Sequence, residues 1–181
     1  MKKTYIGILI AAALWFFMFS PWTAGALNFW GAMLAATGIL TCYSIFSEKS
    51  AIKEIFSYKH SYLLAGLISA AVLYLIFMAG NAVSKLLFDF AEGQVSGIYL
   101  KKSQASQILI GLALLFWIGP AEEFFWRGFV QHNFTKKFGG FKSIFITTLL
   151  YTLVHVWSFN FMLLGAAAVC GLFWSYMFYR Y

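Results

Sequence analysis

Apolar residues run along this chain in six stretches, Tyr5–Trp22, Leu27–Phe46, Tyr62–Gly80, Ile108–Ile118, Ser143–Phe159 and Phe161–Tyr179, separated by short turns richer in polar residues and glycine. All but the fourth approach the ~20 residues that an α-helix needs to cross a hydrocarbon core ~30 Å thick. The fourth is short, ends in Gly119-Pro120 and meets Glu122 and Glu123 directly afterwards. A helix at that point either kinks at the proline or continues with polar groups at depth. The pattern predicts an all-α, polytopic transmembrane helix bundle of about six spans, the fourth helix broken at Gly119-Pro120. Without internal repeats or a long linker, residues 1–181 read as one membrane domain.

Composition points the same way. The chain is 62% hydrophobic and 10% charged, against roughly 25% charged residues in soluble domains. A soluble fold of this composition would expose too much apolar surface. The net charge of +7 raises nucleic acid as a partner, but the basic residues lie in short clusters between apolar runs and form no basic face. They read as topology signals and as attraction to anionic lipid, so the bilayer is the expected partner and nucleic acid is not.

Lys2 and Lys3 precede the first run, Lys49, Lys53 and Lys59 follow the second, Lys136, Lys137 and Lys142 follow the fourth, and Arg180 follows the sixth. The excess of Lys and Arg on cytoplasmic loops then places both termini and segments 47–61 and 131–142 in the cytoplasm, with the chain multi-pass in the cell membrane. Segment 81–107 weighs against this with Lys85, Lys101 and Lys102, although Asp89 and Glu92 lie there too. The first 26 residues also have the layout of a signal peptide; with further spans and no soluble domain behind them, they are read as a first transmembrane helix. Segment 47–61 alternates charged and apolar residues and suggests a short interfacial helix. Cys42 and Cys170 each lie inside an apolar run and read as small buried hydrophobes.

Ionisable groups at membrane depth are costly and therefore mark candidate sites. On a helix, Glu123 and Arg127 share a face at ion-pair spacing, whereas Glu122 points about 100° away. Pro120 suits a first helical residue, with both carboxylates in the first turn near the positive end of the helix dipole. His155 lies in the fifth run with Tyr151 one turn before it. Two bland readings stand beside these: an interfacial cap for the charged trio, and a packing histidine for His155. A carboxylate and an imidazole brought together in an apolar pocket could instead activate water. A zinc site would want three ligands; His132 falls ~15 Å beyond Glu122 on the wrong face, and His60 sits in a loop. No metal and no cofactor are expected.

Gly119-Pro120 followed by Glu122-Glu123-x-x-x-Arg127-Gly128-Phe129 resembles the first motif of the CPBP family of CAAX prenyl proteases and bacteriocin-processing, Abi-type membrane proteins. Tyr151-Thr152-Leu153-Val154-His155 resembles its second motif, Phe-x-x-x-His, with Tyr in place of Phe. The resemblance covers roughly residues 105–175. It implies a glutamate-type intramembrane endopeptidase acting on a hydrophobic or membrane-proximal peptide or membrane protein, with Glu122 as general base, His155 as its partner, and Glu123, Arg127 and Tyr151 in support. It also implies a third motif, His-x-x-x-Asn or similar, that stabilises the oxyanion. No histidine follows His155. The expectation is therefore either a chain that ends before its last helices or a non-catalytic relative acting in bacteriocin self-immunity or as a membrane scaffold. A transporter subunit is the weaker reading, for want of paired broken helices.

Overall fold

The computed structural model describes residues 1–48 and 60–181. Its elements are α1 (Lys2–Phe19), α2 (Phe29–Ser47), α3 (His60–Leu87), a short α4 (Ala91–Tyr99), α5 (Gln107–Phe138), α6 (Gly140–Leu153) and α7 (Phe161–Arg180), with single 3₁₀ turns near 24–26, 100–104 and 156–158. Among the described residues six helices are long and apolar enough to cross a membrane, as the hydrophobic pattern predicts, and the chain is an all-α, multi-pass membrane protein. The suggested interfacial helix at 47–61 falls largely on residues outside those described.

The fourth span differs most from expectation. It is the longest, 32 residues from Gln107 to Phe138, and it runs through Gly119-Pro120 without ending. The break there is one of hydrogen-bond register. Leu114–Ile118 and Phe124–Gln131 are π-helical, with α-helix between them at Gly119–Glu123. The Gly119 N–H bonds the carbonyl of Leu114, five residues back. Proline lacks an N–H and its ring crowds the carbonyl four residues before it; widening the turn relieves both problems without bending the helix out of the bundle. Gly119 permits this, because a Cβ there would stand 2.8 Å from the Leu114 carbonyl oxygen. Pro120 therefore does not start a helix, and the two carboxylates sit in mid-span rather than at the positive end of a dipole.

The second π-helical stretch is the hub of the bundle. Every residue from Phe125 to Gln131 is buried, and the stretch touches α1, α2, α6 and α7. Small residues let the neighbours approach. Ala167, Gly171 and Ser175 recur every four residues on the buried face of α7, the small-xxx-small spacing that brings transmembrane backbones together. A Cβ on Gly171 would lie 3.2 Å from both Thr148 Cγ2 and Tyr151 Cδ1. Polar rungs from α5 reach α7 at the same place. Arg127 Nη2 donates to the carbonyls of Cys170 and Gly171, each at 3.3 Å, and Gln131 Nε2 donates to Ser175 O at 2.8 Å.

The two ends of the bundle are distinct. At one, Lys3 Nζ donates to Ser47 O, Tyr43 OH to Lys3 O, and Asn133 Nδ2 to Glu48 Oε2, and Tyr62 OH donates to the carbonyl of Tyr181. At the other, Asn28 caps α2 by accepting from Gly31 N, and Asn160 caps α7 by accepting from Leu163 N. Gln104 and Gln94 clamp these two starts, accepting from Phe29 N at 2.7 Å and Met162 N at 3.0 Å.

Candidate active site

Glu122 and Glu123 lie in the α-helical piece of α5 between its two π-helical stretches, and the register difference between neighbours sends their side chains to different surroundings. Glu123 turns toward Arg127: Oε1 stands 3.0 Å from Nη1, with the guanidinium side chain 2% exposed and the carboxylate 40%. The expected ion pair is present. Arg127 also lies over the Tyr151 ring, 5.0 Å from its centroid, so both the charge and the planar face of the guanidinium are used.

Glu122 turns toward α6. Its Oε2 accepts a hydrogen bond from Tyr151 OH at 3.1 Å. Tyr151 is wedged edge-on against Trp126, 5.4 Å between centroids, and against His155, 5.1 Å. One carboxylate thus takes the guanidinium, and the other is held by a phenol.

His155 is buried just beyond the end of α6, in a tight turn. Its Nδ1 lies 2.8 Å from the carbonyl of Tyr151, and its Nε2 lies 3.1 Å from the indole Nε1 of Trp15. A carbonyl can only accept and an indole N–H can only donate. The ring is accordingly neutral, with its proton on Nδ1. Phe19, one turn beyond Trp15, lies 5.3 Å from the imidazole centroid.

All five residues singled out from the sequence therefore gather in one cluster, Arg127 and His155 buried and the other three partly so, but not in the simplest arrangement. Among the described residues Glu122 and His155 share no hydrogen bond; Tyr151 stands between them and bonds both, one by its hydroxyl and one by its carbonyl. Trp15 was missed. Inside the apolar run Tyr5–Trp22, a tryptophan reads as one more apolar residue of the span, and nothing in the sequence links it to a histidine 140 positions away.

A cavity of about 570 Å³ lies beside the cluster, between α3, α5 and α7. Glu123, Arg127, Phe124, Trp174 and Phe178 are among its walls, whereas Glu122 and His155 are not. Among the described residues no group of three or more His, Cys, Asp or Glu is placed to hold a metal ion.

Residues 102–181 match the family model for Rce1-like proteins, type II CAAX prenyl endopeptidase Rce1-like. This bears out the resemblance to the CPBP family carried by Glu122-Glu123-x-x-x-Arg127 and by Tyr151 to His155. At the family level the match is to CAAX-type intramembrane proteases. It takes in α5, α6 and α7; α1 to α4 lie outside it. Comparison with curated proteins and with solved structures gives no match.

Proposed function

We propose that this protein hydrolyses a hydrophobic or membrane-proximal peptide at the Glu122–Tyr151–His155 cluster. The observation that carries the reading is a polar chain, Glu122 to Tyr151 to His155 to Trp15, half-buried at Glu122 and Tyr151 and buried at His155 and Trp15, in a bundle whose lipid-facing surface is apolar. Such a chain is expensive at membrane depth unless it does something. Glu122 is the carboxylate without a guanidinium of its own, and in this reading it takes a proton from water as the water oxygen bonds the peptide carbonyl carbon. The C–N bond then breaks, and the leaving amine recovers the proton from Glu122. Tyr151 orients the carboxylate, and the Glu123–Arg127 pair holds the helix against α7.

The sidedness of the charges supports an orientation. Lys2, Lys3, Lys136, Lys137, Lys142 and Arg180 lie toward one end of the bundle. At the other end, Lys85 is paired with Glu92 at 3.2 Å, and Lys101 lies 4.3 Å over the Phe29 ring, where burial holds its ammonium pKa below the ordinary lysine value. The end bearing both termini is accordingly the cytoplasmic one in our reading.

One observation favours a second reading, a non-catalytic immunity or scaffold protein: both nitrogens of His155 are already engaged. The two separate in one experiment. The purified protein in liposomes is offered a panel of hydrophobic peptides, prenylated and not, and cleavage is followed by mass spectrometry. Glu122→Gln is expected to lower the rate ~10²–10⁴-fold, and His155→Ala to lower it as well, with both variants still inserted. Cleavage unchanged in both variants would end the hydrolytic reading.

A further inference from the structure

We propose that Trp15 of α1 is a positioning residue for His155, fixing which nitrogen carries the proton and reserving Nε2 as an acceptor. The indole N–H donates to Nε2 at 3.1 Å, Trp15 is fully buried, and the imidazole is nearly so. The two rings meet edge to face, 6.1 Å between centroids at an interplanar angle of 82°. On the other side of the imidazole, Nδ1–H donates to the Tyr151 carbonyl, 2.8 Å from nitrogen to oxygen. Neither partner can reverse its role, so together they lock one tautomer.

The lock has a chemical consequence. A proton arriving at Nε2 would set one N–H against another, so His155 accepts a proton only after Trp15 lets go. While the bond stands, His155 fixes the Tyr151 carbonyl and the turn beyond α6, and Glu122 is the group that takes the proton. A water or peptide group that uses Nε2 must first displace the indole. This assigns to α1 a part of the site that the matched region, residues 102–181, does not contain. Only the kinetic part of the test below rests on the hydrolytic reading.

The test is nitrogen-15 NMR of the full chain in micelles, labelled at histidine and tryptophan side chains. The resonances lost in His155→Gln identify His155. Wild type is expected to show a single tautomer, protonated at Nδ1, with a hydrogen-bonded Nε2. Trp15→Phe keeps an aromatic ring and removes the donor; its Nε2 resonance is expected to move toward that of a free acceptor, or to average between tautomers. An Nε2 resonance identical in wild type and Trp15→Phe overturns the proposal. If Trp15→Phe does not insert, the Trp15 indole N–H resonance in His155→Gln decides instead: a shift supports the bond and no shift overturns it. With a cleaved peptide in hand, Trp15→Phe is expected to lower kcat about ten- to a hundredfold with KM little changed, because a loosened His155 no longer holds the Tyr151 that orients Glu122. A protein that cleaves nothing fails as a peptidase while the tautomer measurement still stands.

Discussion

α3 and the π-helical stretch Phe124–Gln131 of α5 line the same cavity, and they obey opposite rules. α3 has the highest mean hydropathy of the six spans, 2.3 against 1.7 for α5, yet only 11% of its most apolar window is buried. In the α5 stretch Phe125 to Gln131 are all buried, including a guanidinium and a carboxamide. In water the more apolar segment would be the inner one, because burial is driven by leaving the solvent. In lipid that drive is absent between helices, and what selects the interior is close packing and polar groups that need partners. Thr37, Ser44 and Ser143 are buried with their hydroxyls hydrogen-bonded, while Leu64, Leu67 and Leu75 of α3 face outward.

Breaking the polar interior should have the largest effect. Arg127→Ala removes the partner of Glu123 and two bonds to α7 carbonyls. Stranding a charge in a buried pair costs about 3–5 kcal/mol, and the lower end applies because Glu123 is partly open to the cavity. The check is the unfolding midpoint in an SDS titration, which should fall clearly; an unchanged midpoint would show the pair to be idle. Next in size is Gly171→Val. Its Cβ would already stand 3.4 Å from the Thr148 backbone, so a branched side chain must push α6 from α7. Overpacking of this kind costs about 1–3 kcal/mol, and the same titration reads it. It should also disturb Tyr151, whose ring shares that contact.

The comparison explains what the sequence could and could not reveal. Six spans were legible because span length follows from membrane thickness alone. The Glu123–Arg127 pair was legible because it is local, four residues along one helix. The course of α5 through Pro120 was not decidable, since kinking and continuing differ by a few backbone hydrogen bonds that local sequence does not fix. Tyr151 was seen as a neighbour of His155 through their i, i+4 spacing, but its place between the imidazole and Glu122 depends on how α5 and α6 both pack against α7 at Gly171. Trp15 lay beyond reach altogether. Its partner is distant in sequence, and hydropathy treats it as one more apolar residue in a span.

The smallest effect is expected on α3, and it sharpens the contrast best because it can be set against the same substitution in the interior. Leu67 is 63% exposed and Leu40 of α2 is 1% exposed. Leu67→Ala exchanges one lipid-facing side chain for another, leaving the bundle's contacts intact, so stability should stay within about 0.5 kcal/mol. Leu40→Ala leaves a hole in the buried core cluster to which Leu40 belongs, with lost dispersion contacts that lipid cannot restore; roughly 2 kcal/mol is expected. Equal losses at both sites would mean that transfer from water, rather than packing, governs this protein. A loss confined to Leu40 would mean that the hydropathy peak on α3 reports contact with lipid, and that the interior is defined instead by the small and polar residues around Arg127.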